Sequence, residues 1–154
     1  MRAIRFLVPL AVAAAVVALV PLAATGGADD RLFVGFSLHF TGPTTTAGTF
    51  VMSGEVEDSG TSSVDHLAIV QIGNSDTGRL SGDQAYVGSK GTIFTHFEGH
   101  AFPLSSPHAV GRGRIDIVGG TGAYAGIDGN ARFLIVVDQT TNQLIGTASG
   151  NVTG

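Results

Sequence analysis

The densest group of ionisable side chains is His96, Glu98 and His100, followed by Arg112, Arg114 and Asp116. In an extended chain the alternate spacing puts each group on one face, with about 6–7 Å between successive members. His96 and His100 then stand roughly 13 Å apart. That is too far to share a metal whose ligand bonds are about 2 Å long. The HExxH arrangement of helical zinc sites is absent, so no metal is expected. A hairpin through Pro103–Pro107 would set Glu98 beside Arg112 and His96 beside Arg114. This is the pattern of a cross-strand ion-pair ladder on a solvated face.

A second set is sparse and embedded in apolar residues. On the alternation described below, His66, Gln84, Tyr86 and Thr95 fall on the same side as Phe36, Phe40, Phe50, Met52, Phe97, Phe133 and Ile135. Apolar walls with a few polar groups to fix orientation are the usual make-up of small-molecule sites. An imidazole such as that of His66 suits acid–base work near neutral pH. The expected catalytic pair is therefore His66 and Tyr86. Phe36, Phe50, Met52, Gln84, Thr95, Phe97 and Phe133 are the expected ligand contacts. A plainer reading stays open, in which His66 and Tyr86 are core residues whose polar atoms find backbone partners.

Other chemistries are poorly matched. No carboxylate pair falls on the inward side, against glycosidase-type hydrolysis. No serine lies in a G-x-S-x-G context. The glycine-rich stretch Gly119–Gly129, GGTGAYAGIDG, is one residue too long for G-x-G-x-x-G, and a strand-like run follows it in place of a helix. Nothing resembles a cofactor site, so no cofactor is expected.

The elements that must position these residues are strands. From Arg31 onward the apolar pattern has period two. The clearest stripe is Leu32, Val34, Phe36, Leu38 and Phe40. Phe50, Met52 and Val56 continue an inward face, and Val64, His66, Ala68, Val70 and Ile72 form the next. Leu80, Gln84 and Tyr86, then Thr92–Phe102, Ala109–Val118, Ala131–Val137 and Leu144–Val152, complete eight segments. Turn signals fall at Gly42–Thr44, Asp58–Gly60, Gly73–Gly78, Gly88–Gly91 and Gln139–Asn142. Gly119–Gly129 forms a tight corner, with Tyr124 placed to plug one end of the core. Eight strands on short loops predict an antiparallel up-and-down barrel, which removes exposed edges. A two-sheet sandwich satisfies the same alternation.

The N-terminus reads as an export signal of bacterial type. Arg2 and Arg5 precede the apolar run Phe6–Ala24, and small residues follow. The expected division is a signal peptide over residues 1–28 and one β-barrel domain over 29–154, secreted and free of the membrane once cleaved. Loss of Arg2 and Arg5 leaves six basic residues against twelve acidic ones, a net charge near −6. Nucleic acid is therefore not an expected partner. The chain has no cysteine, so burial and hydrogen bonding alone must hold an exported fold together. Asn151-Val152-Thr153 matches a glycosylation acceptor, but the leader looks bacterial, so it is given no role.

GTGAYAGIDG after a strand, the Asp58-Ser59-Gly60 turn, the run Leu80–Ile93 and export of one β-domain together resemble the allene oxide cyclase-like barrels, the group that includes the dirigent proteins. The resemblance covers most of residues 31–154. It implies an eight-stranded, calycin-like barrel with an apolar cavity, a homo-oligomer, and guidance of a reactive apolar substrate through cyclisation or coupling. The catalytic carry-over is poor. The plant cyclases use a cavity glutamate with a cysteine nearby, whereas this chain lacks cysteine and its Glu55 and Glu98 fall on outward faces. Two functions remain in play. One is a lumen that binds a small apolar molecule, with or without cofactor-free isomerisation. The other is a non-catalytic extracellular binding or structural barrel whose interior is packed solid.

Overall fold

The computed structural model describes residues 31–154; the expected signal peptide lies outside the described residues. Alternating apolar residues give eight strands: β1 (Arg31–Gly42), β2 (Thr45–Gly54), β3 (Asp58–Gln71), β4 (Gly78–Gly88), β5 (Thr92–Phe102), β6 (His108–Gly120), β7 (Asp128–Asp138) and β8 (Gln143–Thr153). Every neighbour pairs antiparallel, and β8 pairs back onto β1. The sheet is a closed barrel, not a sandwich. Closure satisfies both edges of every strand, which suits a chain with no disulfide to hold it.

Alternation sorts most side chains as the sequence implies. Leu32, Val34, Phe36 and Leu38 are buried, as are Ala131, Phe133 and Ile135. Along β8 the inward positions shrink to Leu144, Gly146 and Ala148, because Phe36 lies across this part of the lumen. A Cβ on Gly146 would come within 2.5 Å of the Phe36 ring.

Three local expectations are corrected. Asp58–Gly60 is not a turn: it opens β3, and the chain reverses over residues 55–57. The β5–β6 pairing is shifted by two residues, so that His96 faces Asp116, Glu98 faces Arg114 and His100 faces Arg112. Most consequential is β3. Its ladder with β4 breaks between Asp65 and Ala68, with His66 at φ 55°. Such a bulge inserts one extra residue and reverses the parity beyond it. Leu67 is buried in place of His66, while Val70 and Ile72 are exposed.

One end of the barrel is stoppered by the glycine corner. After β6 a 3-10 turn, Gly122–Tyr124, folds back with Gly122 at φ 63° and Gly126 at φ 86°, a backbone region open to glycine at little cost. Tyr124 and Ile127 are thereby buried at the end of the core.

Candidate functional site

The lumen is the first place to look for chemistry, and it is nearly full. Its remaining cavity is about 30 Å³, lined by Phe36, Leu38, Thr46, Val64, Leu67, Leu80, Gln84, Phe97, Ile115, Phe133, Ile135 and Leu144. Small-molecule sites run from roughly 300 Å³ upward; this space suits a water molecule or two. Phe97 and Phe133 meet edge to face at 6.0 Å, and Phe50 and Tyr86 do so at 5.2 Å. These rings fill the volume that a ligand would need.

The residues expected to contact a ligand are all inside, and most of them serve the packing. Phe36, Gln84, Phe97 and Phe133 touch the cavity, whereas Phe50, Met52 and Thr95 are buried away from it. The polar ones are partly satisfied by one another. Gln84 Nε2 donates to Ser62 Oγ at 2.9 Å, and Thr95 Oγ1 donates to the Gln84 carbonyl at 3.1 Å. Thr46 Oγ1 and the Tyr86 hydroxyl are buried and have no hydrogen-bond partner among the described residues. Burial raises the Tyr86 phenol far above its ordinary pKa, so it stays protonated and does not act as a base.

His66 does not sit in the lumen, contrary to the alternation. The bulge turns its side chain outward, where it is 86% exposed and 3.8 Å from Asp83. It is on the other side of the wall from Tyr86, so the two expected catalytic groups do not meet. On the outside, Asp83 joins two histidines. His96 Nδ1 lies 2.8 Å from Asp83 Oδ1, and His96 Nε2 lies 3.8 Å from Glu98. The Asp83 hydrogen bond is the main cause of a raised His96 pKa. Arg114 bonds Asp116 on its own strand at 2.6 Å instead of Glu98 opposite. Arg112 stacks 5.5 Å over the Phe102 ring. Among the described residues, no three His, Cys, Asp or Glu side chains are placed to hold a metal ion.

The most heavily bonded polar group is Asp58, which the sequence marks only as part of a turn signal. Asp58 accepts hydrogen bonds from the Tyr124 hydroxyl (2.7 Å), the Ser59 and Lys90 backbone N–H groups (2.9 and 3.2 Å), and the Ser89 N–H and hydroxyl (3.1 and 2.9 Å). The Tyr124 bond foremost, with those of Ser59, Lys90 and Ser89, holds its carboxyl well below the usual range. Asp58 thus ties the start of β3, the β4–β5 turn and the glycine corner together. Asp76 plays a similar part at the opposite end, where its side chain accepts from the Ser105 N–H at 2.7 Å and from the Ser105 hydroxyl. Asp58 is followed at once by Ser59 and Asp76 by Thr77, and an Asp beside a hydroxyl residue near a turn is the only, weak, signal that the two sites offer. Both carboxylates have the character of anchors, Asp58 between the start of β3, the β4–β5 turn and the glycine corner, and Asp76 between the β3–β4 and β5–β6 loops.

A scan against protein-family models and searches of curated proteins and of solved structures return no match for this chain. What the described residues do show is an all-β, closed, eight-stranded antiparallel barrel with a filled lumen.

Proposed function

We propose that this chain is a secreted, non-catalytic barrel that acts through its outer surface as an extracellular binding or structural module. The observation that carries this reading is the 30 Å³ lumen, about a tenth of the smallest usual ligand site. The dispersal of the ionisable groups supports it too. His66 lies outside, Tyr86 inside with a protonated hydroxyl, and Asp58 within a structural network. Export rests on the leader-like run Arg2–Ala24. The cyclase-like alternative would need Phe97 and Phe133 to swing aside together and would still lack an acid–base pair facing the space created.

Native mass spectrometry of the protein recovered from its own host's medium tests the proposal. The expected result is the bare polypeptide mass beginning near residue 29. A small molecule retained in stoichiometric amount would overturn the solid-barrel reading, and a chain retaining residues 1–28 would overturn export with cleavage.

A further inference from the structure

The lysines and arginines of residues 31–154 are Arg31, Arg79, Lys90, Arg112, Arg114 and Arg132, and four of these six stand together. Strand register sets Arg79, His100 and Arg112 side by side across β4, β5 and β6. In the adjoining row Glu98, Arg114 and Arg132 are side by side across β5, β6 and β7. All six side chains are exposed on the outer wall. Neighbours within a row are about 4.8 Å apart and the rows about 7 Å.

Carboxylates do not neutralise this patch. Glu98 is the one acid within it. The row beyond, Asp83, His96 and Asp116, engages Arg114 through Asp116 and turns Asp83 towards His96. Among the described residues, Arg79 and Arg132 have no ion-pair partner. Arg132 directly faces Arg114, and like charges directly opposite destabilise a sheet. An anion laid across the two relieves that repulsion. On its other side the patch borders an apolar row, Phe102, Val110 and Val136, with Leu134 next to Arg112. Phe102, Leu134 and Val136 are exposed as well.

We propose that the outer face of β4–β7 binds a carboxylated polysaccharide, a polyuronate. The inference rests on the reading of the barrel as a binding module that acts through its outer surface. Guanidinium groups take carboxylates in a bidentate fork, and the step between strands is close to the length of one pyranose unit. The apolar faces of sugar rings suit Phe102 and Leu134. Charge density decides against nucleic acid, which in duplex form carries one charge per about 1.7 Å. The chain as a whole is net negative, so a dense polyanion is repelled wherever it extends past the patch. One charge per sugar matches a patch of four arginines and one glutamate.

Amide and methyl NMR titration of the full chain, expressed in its host, with hexagalacturonate in about 0.15 M salt tests the site. Saturable shifts are expected at β4–β7 amides around Arg112 and Arg132. Arg132→Gln and Arg112→Gln should each weaken binding at least about tenfold, because charge-assisted hydrogen bonds are lost. Lys90→Gln makes the same change of charge at the far end of β5, many Debye lengths from His100 and Arg112, and should alter binding less than about twofold. Absence of saturable shifts, or equal loss in all three variants, overturns the polyuronate site and leaves the outward-acting barrel standing. A hexadeoxynucleotide that binds as tightly overturns it too. Shifts confined to the lumen methyl groups of Leu38 and Ile135 would overturn both readings together.

Discussion

Removal of one hydroxyl, in Tyr124→Phe, isolates the bond that fixes the glycine corner. The ring should stay in place, because Tyr124 is buried against the core end, while the 2.7 Å bond to Asp58 is lost. Hydrogen bonds to charged groups contribute about 1.5–3 kcal/mol. Asp58 keeps four other donors and stands near solvent, so the lower end applies, about 1.5 kcal/mol. For a domain of this size that corresponds to roughly 6 °C in Tm. The pH dependence is more diagnostic. The folded pKa of Asp58 lies below its unfolded value. Its contribution is therefore fully present above about pH 4 and fades as pH falls below that, towards the folded pKa. Urea unfolding of wild type and Tyr124→Phe at pH 7 and pH 2.5 measures both quantities. A difference near 1.5 kcal/mol that shrinks in acid supports the anchor. A difference under about 0.5 kcal/mol at pH 7, or one that grows in acid, refutes the reasoning.

Four further outcomes are expected. Tyr86→Phe removes a buried hydroxyl with no partner among the described residues and should be neutral or stabilise by up to about 1 kcal/mol in denaturant unfolding; a loss of more than that would mean the hydroxyl is bonded after all. Phe97→Ala should cost about 3–5 kcal/mol and leave beside Phe133 a space that takes up benzene, seen as saturable shifts in methyl NMR spectra. Asp83→Asn should return the raised His96 pKa towards its ordinary value in an NMR titration. The wild-type pair stabilises fully below the unfolded His pKa, about 6.5, and loses this as pH rises through the folded value, with under about 1 kcal/mol at stake. Gly146→Ala would press its methyl on Phe36 and Ile135 and should destabilise by about 1–3 kcal/mol, unless calorimetry shows that the ring yields freely.

Much of the barrel was legible because β1 and β7 keep strict period two, so Leu32 through Leu38 and Ala131 through Ile135 announce their side. What failed was phase. Val64 and Leu67 are three apart, with the polar pair Asp65-His66 between them. That spacing was the available sign of a bulge, and reading through it placed His66 in the lumen. The β5–β6 register slipped by two residues because the Pro103–Pro107 segment does not mark its own midpoint; parity survived, but every ion-pair partner changed. The fill of the lumen was hidden for another reason. Alternation says which residues point inward, not whether the rings of Phe36, Phe97 and Phe133 meet across the axis. The Asp58 network escaped since most of its donors come from the β4–β5 turn and the glycine corner, which only strand pairing and the folded-back corner bring to it.

Benzene titration of the wild-type protein, followed in methyl NMR spectra of the lumen-lining Leu38, Val64, Ile115 and Ile135, asks whether the barrel is solid. A solid barrel gives no saturable shift at these lumen-facing methyl groups, in contrast to Phe97→Ala. Saturable, stoichiometric binding inside the wild-type lumen would contradict it and return the cavity reading to first place.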